Sequence, residues 1–378
     1  MSYYKKILDK ILFAIFLVIG FLPMSFADSS NCDKATRGAL KAYDSNNKYD
    51  KFLAVEALEA VGRQVNAEFV LQTIDPLTPF LARSAISTVA KLNKVTMTQK
   101  LLKDAAENEE ISTLLIETLQ HETLTGSEFF IEKYLLNHTN KFDLIKAMKA
   151  IAQSGNTLLG KLLVKNYKNY SEDKLVQSYA LYAIVKLKIQ FQETANEVLL
   201  FANNTDPLVR EMAAIVLGEL KGKKFENQLN VLVSDNESRV NIAALTSLLK
   251  ITGGDDKRKL ITLIKSGNLR DAEIAAGSLK RLPSKLALEI IKESLIETLN
   301  IKVSLRVMES IAALKGGDAI AFFNWGLSHK EENIVIQTLF AIGDRSLLPE
   351  RNLLVPFLES EDTAFRSIAS WAYLKHPC

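Results

Sequence analysis

The sequence predicts an all-α fold, an α-solenoid (superhelix) of about eleven helix-turn-helix repeats. Apolar residues recur at the i, i+4, i+7 spacing of an amphipathic helix. The pattern returns about every 31 residues, which is typical of stacked helical repeats. No Asn-Gly turn joins two alternating apolar runs, so the signals of a β-hairpin are missing.

Two segments carry the repeat most clearly. When Val209 is aligned with Val240, Ala213 aligns with Ala244. Four residues after this alanine each copy has a leucine, which is Leu217 in the first copy. We call the alanine site the small position, because a short side chain there lets neighbouring helices approach closely. It recurs at steps of 30 to 33 residues, at Ala54, Ala85, Leu115, Ala147, Ala180, Ala213, Ala244, Ala275, Val307, Thr338 and Ala369.

Composition limits the classes of protein that the chain can be. It has 378 residues, of which 48% are hydrophobic and 24% charged, and this balance suits a globular chain. The formal net charge is only +3. A dedicated nucleic-acid binder carries a strong basic excess, so we expect no nucleic-acid partner.

The N-terminus has the pattern of a secretory signal. Three lysines precede an uncharged apolar run at 11–22, and Ser25 and Ala27 supply the small residues of a cleavage site. The run is shorter than the about 20 residues of a membrane span, so a soluble mature chain beginning at Asp28 is favoured over an uncleaved anchor. The predicted organisation is a signal peptide at 1–27, a polar N-terminal arm at 28–48 and the repeat solenoid at 49–378.

The best-preserved repeat has the motif D-P-x-V-R-x-x-A-A at 206–214. It resembles the bacterial HEAT-like repeats that are also found in phycobilisome lyases. The resemblance implies that Asp206 braces the turn, that Arg210 ties neighbouring repeats together, and that Ala213 and Leu217 belong to the structural repeat motif. It also implies a protein-binding scaffold. Arg210 is replaced by other residue types in most copies, so no continuous inter-repeat ladder is expected.

The sequence offers no constellation for catalysis. The four histidines fall in separate repeats or at the C-terminal tail, whereas a zinc site or a nucleophilic triad needs several groups that converge in space. The glycine pairs lack the frame of a phosphate-binding loop. We therefore predict no catalytic, cofactor-binding or metal-binding residue, no cofactor, and a chain that is not an enzyme.

Two cysteines, Cys32 and Cys378, bracket the predicted mature chain. A disulfide needs Cα atoms within about 7 Å, and a regular rod of stacked repeats holds its ends much further apart. Free thiols or an intermolecular bond through Cys32 or Cys378 are therefore favoured. An internal bond would require a strongly curved superhelix.

Certain positions in each repeat lie opposite the stripe that contains the small position. They are polar in many copies and become apolar towards the C-terminus. These apolar and aromatic residues are candidates for binding a partner, and the alternative that they pack in the core stays open. The candidates are Tyr182, Leu305, Ile336, Phe340 and Trp371.

These features together predict an exported, non-enzymatic scaffold that binds a protein partner of unknown identity. The periplasm is favoured over the extracellular space. Two alternatives remain: a secreted factor that acts on a host or competitor, and an accessory subunit of an envelope enzyme. The assignment of a scaffold rests on analogy at the level of the fold.

Overall fold

The computed structural model describes residues 29–254, 256–294, 300–376 and 378. Across these residues the regular elements are α-helices and short 3-10 turns, and they include no β-strand. The predicted all-α fold of successive helix pairs is thus confirmed. The predicted signal peptide at 1–27 and the predicted N-terminus at Asp28 lie outside the described residues.

The helices are numbered in chain order, so that odd numbers mark the first helix of each pair and even numbers the second. Their bounds are α1 (29–43), α2 (Lys48–Ala60), α3 (Glu68–Gln72), α4 (Pro79–Leu92), α5 (Val95–Glu107), α6 (Glu109–Thr118), α7 (Glu128–Asn137), α8 (Lys141–Ser154), α9 (Thr157–Asn166), α10 (Lys174–Lys186), α11 (Thr194–Ala202), α12 (Pro207–Leu220), α13 (Glu226–Val233), α14 (Ser238–Thr252), α15 (Lys257–Ile264), α16 (Leu269–Ser278), α17 (Ser284–Ser294), α18 (Ile301–Ala313), α19 (Ile320–Leu327), α20 (Glu332–Arg345), α21 (Leu348–Arg351) and α22 (Thr363–Leu374).

Short polar residues start many of these helices. The side chain of Asp206 accepts a hydrogen bond from the backbone N–H of Leu208, and Pro207 occupies the first turn, where its missing N–H is not needed. Asparagine performs the same task elsewhere. The asparagine caps that accept a first-turn N–H are Asn47, Asn108, Asn140, Asn156, Asn268 and Asn300.

The even helices pack side by side, and each odd helix packs on the even helix of its pair. From α8 to α18 each even helix contacts the next one, and α11 and α13 lie against α12 and α14. The small positions Ala147, Ala180, Ala213 and Ala244 are 0% exposed in this layer. At Gly218 the helices approach so closely that an added Cβ would lie 2.5 Å from Ser247 Oγ. Small residues at these positions therefore set the helix spacing.

The described chain forms two compact units. One combines the N-terminal segment up to Val65 with the C-terminal segment Ile342–Cys378, and the other is Asn66–Ala341. We call them the terminal unit and the central unit. The repeat pattern occurs in both.

In the terminal unit the two ends of the chain pack together. Helix α2 lies against α22, and Trp371 of α22 donates a hydrogen bond from Nε1 to Glu56 Oε2 at 2.8 Å. Helix α1 joins them, because Gly38 has the Ser370 side chain directly against it. Ala35 and Ala39 of α1 are buried. The segment predicted as a polar arm is thus largely a packed helix.

The cysteines correct the sequence-based prediction. Cys32 and Cys378 form an intramolecular disulfide, with their Cα atoms 6.0 Å apart. The prediction of free or intermolecular thiols assumed a straight stack with distant ends, whereas α2 and α22 are in contact. The guanidinium of Arg351 donates to Cys32 Sγ at 2.9 Å and Cys378 Sγ at 3.0 Å.

A search of the described residues for membrane spans finds no helix that combines the necessary length with the necessary apolar character.

Candidate functional site

In the central unit, one face of the even helices carries a set of polar side chains. In each helix, the residues two before, two after and six after the small position are four residues apart, so they lie on the same side. We call the surface that they form on α6 to α20 the inner face. It faces away from the buried small positions, which contact neighbouring helices.

Helix α12 places two carboxylates on the inner face, and both are paired. Glu211 Oε2 receives a hydrogen bond from Arg239 Nε of α14 at 2.6 Å. Glu219 Oε1 lies 2.9 Å from Lys250 Nζ of α14 and 3.8 Å from Lys186 Nζ of α10. These ion pairs join three successive even helices, and each of the two carboxylates of α12 has a cationic partner.

Lys149 of α8 faces the same region. Its Nζ lies 5.2 Å from the centre of the Tyr179 ring of α10, a cation–π arrangement. Burial lowers the pKa of Lys149, and the charge of Glu211 partly opposes that change. Lys149 forms no salt bridge with any residue that the structure describes.

Arg281 follows α16 and points back towards α10 and α12. It keeps some water-accessible surface, yet burial lowers its pKa, while the charges of Glu211, Tyr182 and Glu219 oppose the change. A side chain that water reaches but protein atoms surround is typical of a concave wall. Within the described residues, Arg281 makes neither a hydrogen bond nor a salt bridge.

His121 lies in the exposed turn after α6, and charges from other helix pairs act on its pKa. It follows α6, and its pKa is lowered by burial, then by the charges of Lys280 and Lys149, with Glu122 acting in the opposite direction. Lys280 lies five even helices further on. At about 10 Å per helix, a straight layer would separate the two ends by about 50 Å, far beyond the range of such an effect. A straight layer therefore does not account for the effect of Lys280 on the pKa of His121.

We call this group the cationic cluster. Its members are Lys149, Lys186, Arg239, Lys250, Lys280 and Arg281, with the carboxylates Glu211 and Glu219 among them. Two tyrosines border it. Burial raises the pKa values of Tyr179 and Tyr182, with the charges of Glu211 and Glu219 respectively adding to the effect, so both hydroxyls stay protonated and available as donors.

The predicted partner-binding residues occupy two different environments. Tyr182 is half-buried beside the cationic cluster. Leu305, Ile336 and Phe340 are half-buried on the inner face of α18 and α20. Trp371 is 1% exposed in the terminal unit and holds a core position, which is the alternative that the sequence left open.

The predicted structural motif is in place. Arg210 forms two hydrogen bonds with the carboxylate of Asp235, at 2.7 and 3.0 Å, and also donates to the backbone oxygens of Asn204 and Thr205. This ties α12 to the turn before α14. Ala213 and Leu217 are 0% exposed.

A second concavity lies between α5, α6 and α7. It has a volume of about 390 Å³ and a mainly apolar lining that includes Phe129 and Tyr134. His138 stacks on Tyr134 with ring centres 3.8 Å apart. Burial raises the pKa of Tyr134 to about 12, and the charge of Asp143 acts in the same direction. Nowhere in the described part of the chain do three or more His, Cys, Asp or Glu side chains gather as a metal site requires.

Sequence reasoning missed most of the cationic cluster. His121 lies in an exposed turn, as the sequence indicated, but neither it nor Lys280 and Arg281 were singled out as members of a site. A signal was present, because the residue six after the small position is polar in every copy from α4 to α16: Lys91, His121, Gln153, Lys186, Glu219, Lys250 and Arg281. The arrangement of successive repeats around one another is not visible in a single repeat.

Comparison with known proteins gives weak similarities. No protein-family model matches the chain, and no curated protein sequence matches it. Among solved structures, human deoxyhypusine hydroxylase in complex with glycerol is similar at 14% identity and a TM-score of 0.30, over 80% of this chain and 99% of that one. An engineered protein is similar at 14% identity and a TM-score of 0.29, over 90% of this chain and 98% of that one.

One earlier prediction is corrected by these comparisons. The absence of a catalytic motif led to the prediction that the chain is not an enzyme. The solved structures similar to it include that of an enzyme, the human hydroxylase, so this prediction is withdrawn. An all-helical repeat fold is no reason to exclude catalysis, since function depends on the site and not on the fold.

Proposed function

We propose that this protein is an exported scaffold that binds a protein partner with the inner face of its even helices. The observation that carries the proposal is the polar surface on which ion pairs join α10, α12 and α14 and beside which Arg281 forms no salt bridge in the described structure. A concave surface with polar groups held at fixed positions suits recognition of a segment from another protein.

We propose that an extended segment of the partner makes the contact. The charge of Lys280 acts on His121 although five even helices separate the two residues in the sequence, which supports a curved inner face. An extended chain can follow a curved face of helical repeats. Beyond the cationic cluster, Leu305 and Ile336 offer half-buried apolar surface for the same segment.

Export is supported by the pattern of the first 27 residues and by the disulfide. Disulfides persist in oxidising compartments such as the bacterial periplasm and are rare in the cytosol. The bond between Cys32 and Cys378 is therefore in keeping with an exported chain. We propose the periplasm as the site of action, and fractionation of the producing cell tests it: recovery in the cytosol would contradict export, and recovery only in the medium would favour a secreted factor.

Site-specific photo-crosslinking tests the binding face. A photoreactive phenylalanine replaces Tyr182 or Leu305 on the inner face, and Lys161 of α9 or Asn230 of α13 on exposed positions of the odd helices. We expect both inner-face variants to capture the same protein, identified by mass spectrometry, and the odd-helix variants to capture none. Capture from the odd helices alone, or from neither surface, would contradict the proposal.

A further inference from the structure

A buried cation lies against the Cys32–Cys378 disulfide in the terminal unit. Cys32, in the first turn of α1, is 8% exposed, whereas Cys378, which follows α22, is exposed to water. Arg351 at the end of α21 is 3% exposed, and its Nη2 lies 2.9 Å from Cys32 Sγ and 3.0 Å from Cys378 Sγ. The guanidinium also lies over the ring of Tyr373, 3.9 Å from its centre. One cation is therefore held against both sulfur atoms.

We infer that the Cys32–Cys378 pair is a redox-active site that undergoes thiol–disulfide exchange with a dithiol protein, and that Arg351 stabilises the Cys32 thiolate. The sulfur of a disulfide is a weak hydrogen-bond acceptor, whereas a thiolate carries a full negative charge. A guanidinium that donates to sulfur therefore stabilises the reduced pair more than the oxidised pair. A disulfide whose reduced form is stabilised in this way is easily reduced.

The charges of the neighbouring buried groups favour the same state. Arg345 and Glu350 form a buried salt bridge at 3.0 Å, in which one cation faces one anion. Arg351 brings a further positive charge to this segment, and the buried His376 brings no negative one. A thiolate at Cys32 would place an anion beside the guanidinium, and a cation so close favours the ionised form of a thiol. Reduction of the bond therefore produces a charge that the buried cation stabilises.

The exchange proceeds in two displacements. A thiolate of the dithiol attacks Cys378 Sγ, which is the exposed sulfur, and forms a mixed disulfide with it. The bond to Cys32 breaks, and its electron pair passes to Cys32 Sγ, which leaves as a thiolate beside Arg351. The second thiolate of the dithiol then displaces Cys378. The dithiol is oxidised to a disulfide by two electrons, and of its two protons one goes to Cys378 and the other to water.

This exchange opens a cross-link within the terminal unit and leaves the packing around it in place. The bond joins the start of α1 to the segment that follows α22. Helix α1 is also held by the close approach of Gly38 to Ser370 and by the buried Ala35 and Ala39. The pair can therefore pass between its two states while α1 stays packed.

Equilibration of the full mature chain with mixtures of reduced and oxidised glutathione tests the inference, with the reduced fraction measured by alkylation and mass spectrometry. Arg351→Gln removes the cation, and Lys41→Gln, at an exposed position of α1, is the control with the same change of net charge. We expect glutathione to reduce the wild-type bond. The equilibrium constant for reduction should fall at least about tenfold in Arg351→Gln and stay within about twofold of the wild type in Lys41→Gln.

A second measurement detects the thiolate directly. In the variant Cys378→Ser, Cys32 is a single thiol, and its ultraviolet absorbance reports how much of it is ionised. An ordinary thiol is mostly protonated at neutral pH, and we expect Cys32 to be mostly thiolate there because Arg351 lies beside it. This readout keeps Arg351, so it decides the matter even where Arg351→Gln does not fold by circular dichroism.

Four results would overturn the inference. They are resistance of the wild-type bond to glutathione, an equilibrium constant that Arg351→Gln leaves unchanged, an equal shift in Lys41→Gln, and a protonated Cys32 at neutral pH in Cys378→Ser.

Discussion

Single residues set the spacing of the helices. The small positions of the even helices are buried, and Ala213 and Ala244 belong to α12 and α14, which pack against each other. Close packing leaves no room there for a longer side chain. The register of the repeat can therefore be tested by overfilling these two positions.

We expect Ala213→Trp and Ala244→Trp each to lower the free energy of unfolding by about 1–3 kcal/mol or more, because the ring must displace a packed helix. Chemical denaturation followed by circular dichroism measures the loss. Asn230→Trp, at an exposed position of α13, is the control and should change stability little. Unchanged unfolding of both alanine variants would refute the register.

Trp371 and Phe340 were equivalent candidates in the sequence, and the structure separates them. Trp371 is fully buried, with Gly343 against its ring, whereas Phe340 is half-buried. Trp371→Ala should therefore cost about 3–5 kcal/mol of stability. Phe340→Ala should cost clearly less. Thermal unfolding of the two variants measures both losses of stability. Equal losses would contradict the assignment of Trp371 to the core and Phe340 to the inner face.

At the level of elements, one arginine links successive helix pairs. Arg210 at the start of α12 forms a two-pronged contact with Asp235 before α14. The hydrogen bond from Arg210 lowers the pKa of Asp235 below 3.8, with burial opposing the change and the N–H of Glu237 assisting it. A carboxyl whose pKa is lowered by folding stabilises the fold above its unfolded pKa, and that stabilisation is lost as the pH falls through the folded pKa.

We therefore expect Arg210→Gln to reduce stability at neutral pH by about 1.5–3 kcal/mol, the usual contribution of a charge-assisted hydrogen bond. The variant should also lose less stability than the wild type between pH 4 and more acidic values, because its Asp235 has a more ordinary pKa. Unfolding measured across this range tests both effects. Arg258→Gln is the control, and parallel pH curves for wild type and Arg210→Gln would contradict the link.

Elements were largely predictable from the sequence, but their convergence was not. The stripe of Ala213 and Leu217 identified the even helices and their buried side, because the 3.6-residue period is local. The small rotation between successive pairs is not encoded in one motif, and it accumulates over the stack. For that reason the effect of Lys280 on His121 was missed. The bond between Cys32 and Cys378 was missed because no motif indicates the contact of α2 with α22.

At the scale of the whole molecule, the disulfide joins the two ends of the described chain. Cys32 and Cys378 are 346 residues apart in sequence, and the bond lies within the terminal unit, beside the contact of α2 with α22. A cross-link over so long a loop strongly restricts the unfolded chain.

Reduction, or the substitution Cys32→Ser, should lower the free energy of unfolding by about 2–5 kcal/mol. Melting in the presence and absence of a reductant measures the effect. The Cys32→Ser variant should be insensitive to the reductant and serves as the control. Dimers on a non-reducing gel in place of an internally linked monomer would contradict the intramolecular bond.

The ionisation of His121 tests the central claim, that distant helix pairs of the central unit converge on one cationic face. NMR titration of the His121 ring, with its signal assigned by His121→Asn, gives its pKa. Because burial and then the charges of Lys280 and Lys149 disfavour its protonated form, with Glu122 opposing them, we predict a pKa below 6.5. Lys280→Gln should raise it, and Lys103→Gln should leave it unchanged. A pKa at or above 6.5 in the wild type, or no response to Lys280→Gln, would contradict the convergence.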